Sequence, residues 1–285
     1  MRVSVIIPSL NSPILDEVLA AVLAQDEAEF VDEILVVGQD APGLSAGFER
    51  TRLVDPGHRL NPPAARNLGI RQSSAPLIIF LDADCIPQPG WLRAHRAAHA
   101  ERRPVVGGGV LPSGENYWSL AYNLGMFHEY LSTQSDGRRD ILPTLNLSVE
   151  RRVIDEAGWL DETLPRAEDL EWSARLRASG VSLHFCADAA VMHRHRRLNA
   201  RAVWADCAGS GYFSRMVRRQ YPELLKAPNI LGRPRLVRLL SPAIAAWATT
   251  RAIARQPVLL WRYPAHLPAI YLTKLAWAWG AGAPD

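Results

Sequence analysis

Cysteine is scarce in this chain, and acid vanishes from one end of it. The three cysteines, Cys85, Cys186 and Cys207, are odd in number and far apart. Without a CxxC pair they make neither a disulfide framework nor a zinc ribbon, so a reducing compartment is the natural setting. No stretch reads as a secretory leader. The opening MRVSVIIPSLN is strand-like, too short for an apolar h-region, and no cleavage site follows it. Long apolar runs are also missing, because Arg251, Arg255, Arg262 and Lys274 interrupt each one before the ~18 residues a bilayer span requires. Repeats and low-complexity segments are absent. What is present is an ordinary globular composition: 285 residues, 48% hydrophobic and 21% charged, enough for a sizeable core in one large α/β domain or two small ones.

The missing acid is informative. Between Leu224 and Pro284 stand eight basic residues and no Asp or Glu, whereas residues 1–223 carry 24 basic against 28 acidic side chains. Four of the nine tryptophans, Trp247, Trp261, Trp277 and Trp279, fall in the same basic segment. Arginine among tryptophan and leucine is the composition of a segment lying on an anionic membrane surface; the plainer reading is a solvated pair of basic helices. Nucleic-acid binding is disfavoured, since these basic residues alternate with apolar runs and not with polar ones.

Strand-like and helix-like stretches alternate through the first half. Val3–Pro8, Glu33–Val37, Arg52–Val54 and Leu77–Leu81 read as strands. Ile14–Leu23 and Pro63–Gln72 read as helices, the second opened by proline. That alternation predicts a mostly parallel sheet with helices on both faces, whose ligands sit beyond the carboxyl ends of the strands. The strand ends read SLN, GQD and DADC, so polar residues gather there. Further on, Val105–Val110 reads as a strand, Trp118–Leu131 as a helix and STQSDGRRD as a mobile loop. TLNLSV then reads as a strand before a helix ending near Gly158, Asp169–Ser179 as a helix stopped by Gly180, and VSLHF and AAVM as strands.

Four short stretches carry chemistry. In LIIFLDADC, Asp82 and Asp84 follow a buried-looking strand; two carboxylates one residue apart suit a hard cation such as Mg²⁺ or Mn²⁺, and equally suit a plain turn. EDLEW places Glu168, Asp169 and Glu171 in a first helical turn, which complements the helix dipole or supplies a carboxylate general base. In HRHRR, His193 and His195 point the same way on extended chain and suit either a metal or a basic surface loop. In NPPAARNLGI, Arg66 suits phosphate oxygens, Asn67 hydrogen bonding, and Gly69 keeps one helix face bare. His95 and His99 at helical spacing lack an acidic or cysteine companion and read as a helix face.

The order of these pieces says more than any one of them. VSVIIPSLN, AARNLGI, FLDADC, PTLNLSVERRVIDEAGWLDE, EDLEWSARLRASG and AAVMHRHRR, in that succession, resemble the family 2 glycosyltransferases of the GT-A fold over residues 3–200. The resemblance implies an α/β domain over 1–223 with a mostly parallel sheet flanked by helices. Residues 224–285 are then a basic, Trp-rich helical extension. Asp84 is then a metal ligand and Asp82 contacts the donor ribose or the metal. Pro8 and Ser9 line the nucleotide pocket, and Arg66 and Asn67 stand beside the donor. Asp169 is the expected catalytic base with Glu168 as its substitute, His193 completes the metal shell, and Asn146 and Trp172 shape the acceptor side. The implied reaction is metal-dependent, inverting transfer of a sugar from a nucleotide diphosphate to a hydroxyl of a lipid-linked or cell-envelope glycan, with Mn²⁺ or Mg²⁺. The implied place is the cytoplasmic face of the membrane, held peripherally by the tail.

In one place the sequence departs from the pattern. The family often carries an acidic DDGS-like turn after the second strand, whose aspartate reads the base. Here the turn is GQDAPG, so Gly38 and Gln39 occupy the acidic positions, and Asp40 substitutes for the acid or Gln39 pairs with the base through its amide. Two other functions compete with the leading one. A nucleotidyltransferase shares the sheet and the metal-bound diphosphate but favours a Gly-rich, basic signature after the first strand, which SLNSPILDE lacks. A non-catalytic sugar-nucleotide-binding membrane scaffold has no need of Asp82, Asp84, Glu168 and Asp169, all of which are present.

Overall fold

The computed structural model describes residues 1–284. The chain opens with β1 (Val3–Leu10), α1 (Leu15–Leu23), β2 (Val31–Gln39), β3 (Thr51–Val54), α2 (Pro62–Gln72), β4 (Leu77–Leu81) and β5 (Cys85–Pro87). There follow α3 (Trp91–Ala100), β6 (Val105–Val110), α4 (Tyr117–Met126), β7 (Gly137–Arg138), β8 (Asn146–Glu150), α5 (Arg151–Ala157), α6 (Glu168–Ala178) and β9 (Leu183–His193). The remainder is helical: α7 (Ala200–Gln220), α8 (Pro234–Leu239), α9 (Ser241–Arg255), α10 (Val258–Arg262) and α11 (Leu267–Ala281). Two compact units result, Met1–Leu111 with Ser132–Met192, and Pro112–Leu131 with the chain from His193 onward. None of the three boundaries coincides with the compositional change at residue 224.

The first unit is built on a sheet of nine strands among the described residues, ordered β3-β2-β1-β4-β8-β6-β9-β5 with β7 paired to β9. β3, β2, β1 and β4 run parallel, with Val5 opposite Ile34 on one side and Ile79 on the other. β8 runs antiparallel between β4 and β6, placing Asn146 opposite Leu81. All five residues of β4 are buried, as expected of a central strand covered on both faces. α1 buries Leu15, Val18, Leu19 and Val22, a single helical stripe. α2 starts where Asn61 accepts a hydrogen bond from Ala64 N–H at 3.0 Å, with Pro62 and Pro63 in the first turn. Gly69 lets α2 lie flush on β1, since a Cβ there would sit 2.4 Å from Ile6 Cγ2.

The sheet places the polar strand ends together. Because β1, β2 and β4 are parallel neighbours, the turns after Leu10, Gln39 and Leu81 share one edge, and the antiparallel β8 begins at that edge. Gly38 fixes how closely β1 and β2 end: its φ is +121°, and a Cβ would fall 2.2 Å from the Ser9 carbonyl oxygen. Gly38→Ala is therefore expected to destabilise the fold by about 2–4 kcal/mol through strain and overpacking, read as a lowered denaturant midpoint.

Three sequence expectations change. β9 is one strand of 11 residues where VSLHF and AAVM read as two. The loop STQSDGRRD contributes Gly137 and Arg138 to a short strand opposite Phe185 and His184, a main-chain pairing that needs no side-chain pattern. α4 stops at Met126, short of Leu131. His95 and His99 are buried against the sheet, where His95 and His99 each bond the Ser148 hydroxyl at 2.8 and 2.7 Å. Burial pushes the two imidazoles down to about 3 and about 4, so both are neutral structural groups.

The second unit is a helical assembly centred on α11, which packs on α4, α7, α8 and α9. Its contacts with α7 are backbone-close: a Cβ on Gly211 would lie 1.9 Å from Trp277 O, and one on Gly280 1.9 Å from Ala208 O. α11 is itself apolar on nearly all sides and buries Ala269, Ile270, Thr273, Ala276, Ala278, Gly280 and Ala281. Even Lys274 is turned inward to the Gly125 carbonyl, and burial lowers its ammonium to about 8. The last helix of the basic segment is thus core, and its partners α4 and α7 come from before residue 224. Among the described residues no helix is long and apolar enough to cross a membrane.

Candidate active site

The site grows from the end of β4. Asp82 N–H donates to Leu145 O at 2.9 Å and Cys85 N–H to Asp82 O at 3.0 Å, which curls the chain into a turn. Ser12 Oγ donates to Ala83 O at 2.6 Å, tying that turn to the end of β1. Asp82 and Asp84 are both half-buried at the sheet edge.

Arg66 joins this turn to the start of α6. It rises from α2, is 2% exposed, and donates from Nη2 to Asp82 Oδ1 at 2.6 Å and from Nη1 to Glu168 Oε1 at 3.0 Å. Phe80 lies beneath the guanidinium, 6.0 Å from ring centre to Cζ. Glu168 Oε1 also accepts from the Thr144 hydroxyl at 3.5 Å. One arginine therefore holds a carboxylate from each of the two acidic stretches.

Asp169 sits next to that clamp but outside it. The residue keeps part of its surface in solvent, and its Oδ1 accepts from Leu170 N–H at 2.7 Å. Desolvation of the carboxyl by surrounding protein, with Glu168 alongside, pushes it up to about 7, against the pull of that hydrogen bond and of Arg66. Ala167, at the start of the helix, holds the left-handed conformation (φ +61°), a strained setting for a residue with a side chain and one that aims the next two acids. A carboxylate poised near neutrality can take a proton from a hydroxyl.

Several expected site residues prove structural. Asn67 turns away from Arg66: its amide donates to Leu160 O and Glu162 Oε1, both at 2.9 Å, and accepts from Leu160 N–H at 3.2 Å, pinning the loop before α6. Asn146, expected on the acceptor side, is 1% exposed. It accepts from Trp91 Nε1 at 2.8 Å and donates to Ala189 O at 2.8 Å, so its polar atoms are spent joining α3 to the sheet. Trp172, also expected there, is 1% exposed, packs edge-on against Phe80 and donates from Nε1 to Gly158 O at 2.9 Å. Arg66, expected beside the donor, gives one hydrogen bond from each terminal nitrogen to a carboxylate.

The turn after β2 holds Gln39 and Asp40 in different settings. The Asp40 carboxylate accepts from Leu44 N–H, Ser45 N–H and Ser45 Oγ at 3.1, 2.7 and 2.6 Å. Burial raises that carboxyl and these hydrogen bonds outweigh it, holding it below the usual range. Asp40 thus builds its own turn. Gln39, half-buried at the end of β2, accepts through its main-chain oxygen from Ser9 Oγ at 3.1 Å. Pro8 is half-buried in β1, paired with Val37.

His193 ends β9 and falls in the second unit, buried. Its Nδ1 is 2.9 Å from Asn123 Oδ1, and Asn123 Nδ2 donates to His193 O at 3.0 Å and Ser113 O at 2.8 Å. Because the amide nitrogen is occupied as a donor, Asn123 presents its oxygen, and the imidazole carries hydrogen on Nδ1. Sequence reasoning missed Asn123, although a lone amide inside the apolar helix YWSLAYNLGM is a usable signal. It missed Thr144 as well, for which the sequence offers none.

As a donor set for a divalent cation, the site fits. Carboxylates at the sheet edge are hard oxygen ligands. A largely parallel sheet with antiparallel β8 set between β4 and β6, acids at its carboxyl edge and an acidic first turn in α6 is the frame of this site. The profile of glycosyl transferase family 2 matches residues 4–149. Glycosyltransferase AglE of Haloferax volcanii is 31% identical over 204 residues, 68% of this chain and 67% of that protein. The chain belongs to glycosyl transferase family 2 and is a glycosyltransferase. Among solved structures, the mannosyltransferase PcManGT of Pyrobaculum calidifontis, in complex with GDP-Man and Mn²⁺, aligns with TM-score 0.61 at 18% identity, over 96% of this chain and 87% of that one. GalNAc-T7 with UDP, GalNAc and Mn²⁺ aligns with TM-score 0.57 at 15% identity over 80% of this chain, which spans about half (52%) of that one. These matches displace the nucleotidyltransferase and scaffold readings.

Proposed function

We propose that this enzyme moves a sugar from a nucleoside-diphosphate donor to a hydroxyl of a lipid-linked or cell-envelope glycan, with inversion, at a membrane face. The observation that carries the mechanism is the Arg66 clamp. It commits Glu168 and Asp82 as fixed carboxylates and leaves Asp169 as the acid in the cluster whose proton affinity lies near neutrality. Asp169 is therefore the base and Glu168 its orienting neighbour. Asp169 accepts the acceptor hydroxyl's proton as the oxygen attacks the anomeric carbon from the face opposite the leaving group. Asp84, Asp82 and His193 are the residues that would hold Mn²⁺ or Mg²⁺, His193 on the strength of the family resemblance. A divalent cation held there would supply charge neutralisation for the departing diphosphate. Gln39 takes the place of the base-reading acid, its amide offering one donor and one acceptor.

Calorimetric titration of UDP, GDP, dTDP and CDP, each with and without Mn²⁺, tests the donor half of this reading. One nucleotide is expected to bind only with the metal, and Asp84→Asn is expected to weaken it by at least about tenfold while leaving the thermal midpoint in place. Binding that ignores both metal and variant would remove Asp84 from the mechanism.

A further inference from the structure

The basic segment does not act as one piece. α11 fills the middle of its unit, Trp277 packs beside Leu231 and Val237, and Arg238 lies 4.0 Å over the Trp279 ring. The exposed apolar surface lies instead on α8, α9 and α10. Trp261 is 83% exposed, Leu239 75%, Trp247 62% and Leu260 43%, values unusual for large apolar side chains outside an interface.

The outer face of α9 shows the same inversion. It buries Ser241, Ala245, Thr249 and Ala252, a small and half-polar stripe. Toward solvent it presents Ala243, Ala246, Trp247, Thr250 and Arg251. A helix that only needed solubility would carry its charges on that face. The segment's exposed charges are basic: Arg233, Arg235, Arg251, Arg255 and Arg262 are exposed, Arg255 paired with Glu129, and no acid stands between Leu224 and Pro284. Arg251 lies 5.3 Å over the Trp247 ring, so charge and aromatic surface form one patch there.

We infer that the outer faces of α8–α10 are a docking surface for an anionic lipid bilayer, with Trp247, Trp261, Leu239 and Leu260 entering the interfacial layer and the arginines meeting lipid phosphates. This deepens the membrane-face reading above and rests on it. Exposed aromatics flanked by arginine are the chemistry of that layer. A second copy of the chain is the poorer occupant, because a two-fold contact would set arginines against arginines with no acid between Leu224 and Pro284 to pair them. Deleting residues 224–285 is not a fair test, since it would strip α11 from between α4 and α7.

Full-length protein is floated instead with vesicles of phosphatidylcholine alone and of phosphatidylcholine mixed with phosphatidylglycerol. It is expected to rise with the anionic vesicles only and to be released by salt. Trp247→Ser with Trp261→Ser, and separately Arg251→Gln with Arg262→Gln, should each lower vesicle affinity, the arginine pair by about 30-fold. Metal-dependent nucleotide binding is measured on the same variants and should be unchanged, which separates failure of this surface from failure of the donor site. Three results would overturn the inference: no flotation with either vesicle, equal flotation with both, or a wild-type dimer in gel filtration that the tryptophan variant dissolves.

Discussion

Asp169→Asn is expected to slow sugar transfer by about 10²–10⁴-fold while making the protein more stable above neutrality. Asparagine keeps the shape and the hydrogen bond from Leu170 N–H but cannot accept a proton from the attacking hydroxyl. The stability gain follows from the sign of the shift. The folded protein holds the Asp169 proton more tightly than the unfolded chain does, up to about 7. Between the ordinary carboxylate range and pH 7 the folded state therefore binds more protons, and stability falls as pH rises. The variant lacks this decline, and at pH 8 should exceed wild type by ~1–2 kcal/mol, allowing for the solvent that reaches the residue. Urea midpoints at pH 5 and pH 8, with kcat/KM across the same range, check both halves. Wild-type kcat/KM should climb with pH and level off above about 7. A flat profile, or an Asn variant that turns over normally, would move the base elsewhere.

The largest structural effect is expected at Arg66. Removing one member of a buried ion pair typically costs about 3–5 kcal/mol, and Arg66→Ala would orphan both Asp82 and Glu168. Arg66→Lys should retain part of the fold, because a single ammonium reaches one carboxylate where the guanidinium fork reaches two. The conservative variant also reports on electrostatics. Arg66 pulls the Asp169 carboxyl down, so weakening its hold should shift the rising limb of the rate profile to higher pH. Guanidinium midpoints give the stability term and pH–rate curves give the second. A lysine variant with wild-type behaviour in both would show the clamp to be idle.

Much of the first unit was legible because its signals are local. β1, β2, β4, α1 and α2 each announce themselves by an apolar run or stripe bounded by turn residues, and their parallel order follows from alternation. The acids Asp82, Asp84, Glu168 and Asp169 were legible by position at element ends. What was not legible depends on distant partners. Asn67 and Asn146 stand beside the motifs in sequence, yet one is consumed by Leu160 and Glu162 and the other by Trp91 and Ala189. Arg66 reads as a phosphate ligand until both its carboxylate partners, 16 and 102 residues away, are seen. The basic tail was legible only as a whole: charge count describes a segment, whereas burial sorts its helices one at a time, and α11 went inside.

Gly38 bears on how the enzyme's choice of nucleotide can change. Restoring an aspartate at that position is closed to single substitutions, because the Ser9 carbonyl already fills the space of its Cβ and the backbone is in a glycine conformation. Position 40 is closed for the opposite reason, its carboxylate being a structural part of the turn. With Gln39 in the proposed base-reading role, the open route runs through residue 39. A lineage or an engineer seeking a new base preference would be channelled into that single position, and neighbouring sequences should vary there while holding Gly38 and Asp40 constant.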